Sequence, residues 1–282
     1  MRIGIMGLGR IGGFHAETLS TLDAVDSLVV TDPVAAAATA AAERFGAQAV
    51  DSPEAVLATG VDGVVIAAAT DAHPELILAA VRAGVPVFCE KPVARTIGES
   101  LDVLRAVEGS GVAVQIGYNR RFDPGYLAAR AAVVGGELGP LHTVRSTTLD
   151  PEPPPAAYVA VSGGIFRDCA VHDFDTVRWI TGREVTEVYA TGSRGEATAM
   201  NFVQPHLDDR IVVRTPAGER TEELGRRSSY TYQLDAYAAH LRHGTPLPLD
   251  AEDALTAMSL IDACYRAAGF PPRPRTALPV SG

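Results

Sequence analysis

The stretch "RIGIMGLGRIGGF", residues 2–14, decides the fold. A short apolar run, Ile3 to Met6, stops at a glycine loop, and a helix-like segment follows at once. Gly7, Gly9 and Gly12 make a G-x-G-x-x-G pattern in the one context where that pattern carries meaning, between a strand and a helix. The first glycine permits the tight turn and the second lets backbone approach a pyrophosphate. The third lets helix and strand pack closely. Free N–H groups at the helix start then favour phosphate, with Arg10 and Ile11 in the first turn. Asp32 ends the next strand-like run, "SLVVTD" at 27–32, where a carboxylate can accept bonds from an adenosine ribose. An acid there repels a 2′-phosphate, so NAD is favoured over NADP.

Outward from this loop the chain keeps alternating. "AAAATAAAERFG" (35–46) is a helix by propensity and ends in glycine. "DGVVIAAAT" (62–70) is a buried strand, "HPELILAAVRAG" (73–84) a helix, and "PVFCE" (86–90) and "VAVQIGY" (112–118) are strands flanking a helix at 97–111. Such alternation predicts a doubly wound parallel sheet covered on both faces. After residue 120 the pattern changes. A strand is expected over 141–150, a helix within 163–179, a strand over 185–192, a hairpin over 210–225, and two closing helices at 230–244 and 251–269. The expected organisation is therefore a cofactor-binding α/β domain over 1–120 and an α+β domain with a mostly antiparallel open sheet over 121–282.

Bulk properties bound the function. With 282 residues, 47% apolar and 21% charged, the chain is built to fold. A net charge of −10 gives no footprint for nucleic acid or an anionic membrane. No apolar run approaches the ~18 residues of a membrane span. Three scattered cysteines suit a reducing cytoplasm, and neither they nor the histidines have metal-site spacing, so no metal is expected.

Two further stretches carry chemistry. "VFCEKP" puts Glu90 and Lys91 at the C-terminal end of a parallel strand, where open α/β sheets bind ligands. Ala68, Thr70 and His73 follow the neighbouring strand and are expected along the cofactor's path, although His73 could equally cap its helix. In "GGIFRDCAVHDFDTVRW" (163–179), Asp168 and His172 stand four apart and share one helix face. They suit an acid/base pair or a surface ion pair. Asp173 and Asp175 read as structural, one capping or pairing with Arg178 and the other solvated, and His15 reads as a packing residue.

Together these pieces resemble the glucose–fructose oxidoreductase/inositol dehydrogenase (Gfo/Idh/MocA) family. The resemblance rests on "GLGRIGGFHAETL", "DGVVIAAATDAHPELILAAVRAGVPVFCEKPVA", "GYNRRFDPGY" and "SGGIFRDCAVHDFDTVRWITG", in family order, and on the C-terminal helices. "TTLDPEPPPAAYVAVSGG" looks most like the inositol dehydrogenase branch. The resemblance implies a Rossmann domain and an oligomer-forming open sheet. It implies Lys91 at the reacting oxygen, Asp168 and His172 beside the substrate with His172 as acid/base, and Arg120 and Asp150 bordering a polyol pocket. The chain is short for the family, with strands seemingly absent around 192–201, and His206 near that gap has no assigned role. The expected activity is NAD-dependent oxidation of a cyclic polyol or sugar. Reduction of a keto-sugar or imine, and a non-catalytic dinucleotide sensor, are the alternatives.

Overall fold

The computed structural model describes residues 1–146, 148, 164–190, 210–215, 218–223, 227–249 and 251–267. Its centre is a six-stranded, wholly parallel sheet: β1 (Arg2–Met6), β2 (Ser27–Thr31), β3 (Gln48–Ala49), β4 (Gly63–Ile66), β5 (Val87–Cys89) and β6 (Val114–Ile116). The spatial order is β3-β2-β1-β4-β5-β6. Strand order reverses between β1 and β4, which opens a crevice at their C-terminal ends, the place where such sheets take ligands. Five helices connect the strands: α1 (Arg10–Ser20), α2 (Ala35–Phe45), α3 (Pro53–Ala58), α4 (His73–Arg82) and α5 (Ile97–Val107).

Both faces of the sheet are apolar because both are covered. Side chains alternate between the faces with period two. Ile3, Ile5, Val65 and Phe88 point to one side, into a cluster with Ala16 and Leu19 of α1. Met6, Val64, Ile66, Val87 and Cys89 point to the other, against Ile77 and Ala80 of α4 and Val103 of α5.

The second half of the chain contributes to both layers. Following a single 3-10 turn at 119–122 come α6 (Pro124–Val134), α7 (Ile165–Asp168), α8 (Val171–Thr181), the antiparallel pair β7 (Arg210–Thr215) and β8 (Gly218–Glu223), α9 (Ser229–His243) and α10 (Ala251–Ala267). Leu234 and Tyr237 of α9 join the first core cluster, and Ala254, Ala257, Met258 and Ile261 of α10 join the second. The Tyr237 hydroxyl donates toward the Val64 and Pro86 carbonyls at 3.2 and 2.7 Å. Gly63 lies directly beneath, where a Cβ would come within 2.6 Å of that hydroxyl.

Several expectations change. Residues 141–146 and 183–190 carry no strand, and neither segment has a ladder partner among the described residues. Among the described residues the antiparallel sheet is the β7–β8 hairpin alone, in the register Val212↔Thr221. The helix expected within 163–179 is two helices broken at Cys169 and Ala170. Helix α6 was not foreseen, nor were α3 and β3. The suspected gap at 192–201, His206 and Asp150 lie outside the described residues.

Candidate active site

Gly7 holds φ +98°, and a Cβ there would lie 2.5 Å from the Ala68 backbone nitrogen. A Cβ on Gly12 would lie 2.0 Å from the Gly7 carbonyl oxygen. Both positions must be glycine because β1, its turn and α1 touch. Gly9 differs: nothing lies within 4 Å of its Cβ position, so the loop offers bare backbone to open space. Gly9 is also the N-cap of α1, with no capping side chain and no acid in the first turn, leaving the helix start available to an anion. Leu8, Gly9, Arg10 and Ile11 border an open cleft of about 740 Å³ that continues to Tyr230.

Asp32 follows β2 beside this loop. One carboxylate oxygen accepts from the Leu8 N–H at 2.7 Å and the other from the Val34 N–H at 2.8 Å. Each oxygen keeps a lone pair for a ribose hydroxyl, and the two amides fix the carboxylate's direction. The loop, the uncapped helix and the oriented acid fit a dinucleotide.

Ala68, Thr70 and His73 follow β4, in the crevice wall next to Gly7. The His73 ring does not line the cleft, nor does it cap α4. It is buried, with Nδ1 2.8 Å from the Pro92 carbonyl and Nε2 3.0 Å from the Ala68 carbonyl. The ring lies between the β4 and β5 loops, and burial holds its imidazole below its ordinary pKa, the neutral form donating to one of the two carbonyls at a time.

The β5 loop carries Glu90, Lys91 and a cis Lys91–Pro92 peptide. Glu90 turns inward, its carboxylate 2.7 Å from Nε2 of the fully buried His15. Lys91 turns the other way. Its Nζ donates to the backbone carbonyl of Asp168 at 2.7 Å and to the Asp168 carboxylate at 3.3 Å. Lys91 is the only lysine in a chain with 24 basic residues. Arginine serves everywhere else, so the compact, titratable ammonium is singled out at this position.

Asp168 ends α7 and His172 lies in the first turn of α8. The His172 ring packs edge-on to Tyr118, with centroids 6.1 Å apart. Its Nδ1 has no hydrogen-bond partner among the described residues. Burial first, then the Lys91 and Arg120 charges, hold the imidazole well below its ordinary pKa. His172 is thus neutral at pH 7, the form that can take a proton.

Arg120 donates to Asp173 at 2.6 Å and to the Thr148 hydroxyl at 2.6 Å. Ser146 and Thr148 also donate to Asp173. Burial works against ionisation of Asp173, but these donors together bring its pKa below the ordinary carboxylate value. Asp173 is therefore neither solvated nor paired with Arg178, which binds Glu184 instead. Asp175 is buried and takes Arg121 through both carboxylate oxygens, at 2.6–3.2 Å. Arg121 continues to the Pro248 carbonyl at 3.3 Å and Asp253 at 3.1 Å. Arg121 went unnoticed in the sequence, and its position beside Arg120 in "NRRFD" was the available signal.

The structure thus brings Lys91, Asp168, His172 and Arg120 together at the C-terminal edge of the sheet, next to the glycine loop. Residues 1–118 match the oxidoreductase family with NAD-binding Rossmann fold, GFO/IDH/MocA, and residues 126–216 match the GFO/IDH/MocA C-terminal domain. The myo-inositol 2-dehydrogenase of Thermotoga maritima is 39% identical over 195 residues, covering 68% of this chain and 58% of that protein. The inositol 2-dehydrogenase of Rhizobium meliloti is 36% identical over 235 residues, covering 82% and 71%. The crystal structure of a myo-inositol dehydrogenase from Corynebacterium glutamicum superposes with a TM-score of 0.76 at 28% identity, covering 95% of this chain and 96% of that one. The chain belongs to the Gfo/Idh/MocA oxidoreductase family, and its N-terminal half is that family's NAD-binding Rossmann fold.

Proposed function

We propose that this protein is an NAD-dependent dehydrogenase that oxidises a secondary hydroxyl of a cyclic, inositol-like polyol. The observation that carries the reading is the meeting of the Lys91 ammonium with Asp168, which ends α7 four residues before His172 in α8. Gly7, Gly9, Arg10, Ile11, Gly12 and Asp32 would hold NAD, which would supply the hydride acceptor when bound. The chain supplies position and charge. The neutral His172 imidazole takes the hydroxyl proton as the carbon–hydrogen bond breaks. The Lys91 ammonium stabilises the developing alkoxide. Asp168 holds Lys91 in place, and Arg120, clamped by Asp173 and Thr148, forms the pocket wall.

The charges near the pocket balance. Lys91 faces Asp168 and Arg120 faces Asp173, so an uncharged substrate suits the site better than an acid or an amine. A division near residue 120 into a cofactor domain and a substrate domain belongs to the same reading. Exposed Leu127, Val134 and Leu138 support self-association through the second domain. The unbridged, buried thiols Cys89 and Cys264 support a cytoplasmic setting. NADH formation with a panel of inositols and sugars tests the reading. Inertness across the panel, with NAD binding demonstrated, overturns it.

A further inference from the structure

His15 has no part in the chemistry above, yet its setting is costly. It is fully buried, and its ring is enclosed edge-on by Phe14, Phe88 and Tyr230 at centroid distances of 6.3, 5.5 and 6.0 Å. An apolar side chain would fill such a box without bringing a polar ring into it. Nδ1 has no partner among the described residues, so the ring's polar reach runs wholly through Nε2 to Glu90, 2.7 Å away. That assigns the proton to Nε2, donating to the carboxylate.

Glu90 is seated from two more sides. Its second oxygen accepts from the Lys91 backbone N–H at 3.3 Å. Behind it, Gly117 leaves room that a Cβ would close, coming within 2.9 Å of the same oxygen. A continuous line therefore runs from the glycine-loop helix α1 through His15 to Glu90, through the Lys91 backbone to its ammonium, and on to Asp168.

We propose that His15 is a positioning residue: its bond to Glu90 holds the Glu90–Lys91 turn so that the Lys91 ammonium stands at Asp168. The inference rests on Lys91 acting at the reacting oxygen as described above. Misplacement of a catalytic group by about 1 Å costs on the order of 100-fold in rate, so a brace of this kind acts on turnover more than on cofactor binding.

Two variants separate positioning from packing. His15→Gln keeps an amide N–H long enough to reach Glu90, and His15→Asn keeps the polarity but falls short. Each is measured for kcat and KM for NAD with myo-inositol. Each is also measured for the rate of reductive methylation of Lys91, the chain's only lysine, against the N-terminal amine as reference. His15→Gln is expected within about 3-fold of the parent in all three. His15→Asn is expected to lose about 10-fold or more in kcat with KM for NAD within about 3-fold. Its Lys91 should methylate several-fold faster. Equal behaviour of the two variants overturns the proposal, whether both match the parent or both lose NAD binding together. The methylation rates need no turnover. A protein inert on every polyol would sink the functional reading and leave this comparison to decide the role of His15.

Discussion

Lys91 and Asp168 stand 77 residues apart in the chain, yet the lysine ammonium lies 2.7 Å from the aspartate's backbone carbonyl and 3.3 Å from its carboxylate. One comes from the end of a parallel strand and the other from the turn between two short helices. Their contact builds a site that neither half of the chain contains alone.

Replacing Lys91 tests that contact directly. Lys91→Ala is expected to lower kcat by about 100-fold or more, the range for removing one donor at a developing oxyanion. Lys91→Arg should recover little of it, because the planar fork cannot take the place of a point-charge ammonium against Asp168. Steady-state NADH formation reads both, and full activity in the arginine variant would contradict the assignment.

His172 sets the pH dependence. Its neutral form is the proposed base, and burial with the Lys91 and Arg120 charges holds its pKa well below the ordinary imidazole value of about 6.5. The acid limb of kcat/KM should therefore fall below pH 6.5, with activity level from there to neutrality. Lys91 and Arg120 contribute to the depression, so Arg120→Ala should move the limb toward higher pH. His172→Asn should cost roughly 100- to 10,000-fold. An acid limb well above pH 6.5 would point to another base.

Stability should follow the same histidines. His73 and His172 both have folded pKa values depressed by burial, so below pH ~6.5 the unfolded chain binds protons that the native state refuses. Their contribution is fully present above that pH and is lost as the pH falls toward the folded values. The melting temperature should drop between pH 7.5 and 5.5, and less so in His172→Asn. A flat profile in the parent protein would be inconsistent with neutral buried rings.

On the proposed reading, Asp32 governs cofactor choice. Asp32→Ser removes the charge that repels a 2′-phosphate and loosens the Leu8 and Val34 amides. NAD affinity should weaken about 10-fold, equivalent to ~1.4 kcal/mol, while NADP affinity holds or improves. Titration of both dinucleotides checks the ratio, and an unchanged preference would remove Asp32 from the site.

Arg121 and Asp175 carry stability rather than turnover. Arg121→Met leaves the buried Asp175 carboxylate without its bidentate partner, at a cost of about 3–5 kcal/mol. For a chain of this size that corresponds to roughly 10 °C in Tm. Thermal melting with and without NAD measures it, and a shift under about 2 °C would show the pair to be dispensable.

The parts legible in the sequence were those with local causes. Gly7 and Gly12 are fixed by steric contacts within one strand–turn–helix unit, and Lys91 stands out through its neighbours Glu90 and Pro92 at a strand end. The misreadings lie where distant partners decide. Residues 141–146 have strand-like composition but find no ladder partner among the described residues, and Asp173 and Asp175 look like ordinary surface acids until Arg120 and Arg121 arrive from 53–54 positions away. His15 was read as packing, which its burial supports. Only the fold brings Glu90 to its ring, from 75 residues downstream.

The docking of α9 on the sheet, with Tyr237 capping the Val64 and Pro86 carbonyls, bears on how the chain comes to fold. During synthesis the six strands are complete by residue 116, but one face waits for Leu234 and Tyr237 and the other for Ala254, Ala257, Met258 and Ile261, more than a hundred residues later. Over that interval Phe88 and its neighbours form an unsealed apolar surface, the kind of intermediate that associates with other chains. The first half of this protein is therefore a unit of architecture whose core is completed only by the last two helices, α9 and α10.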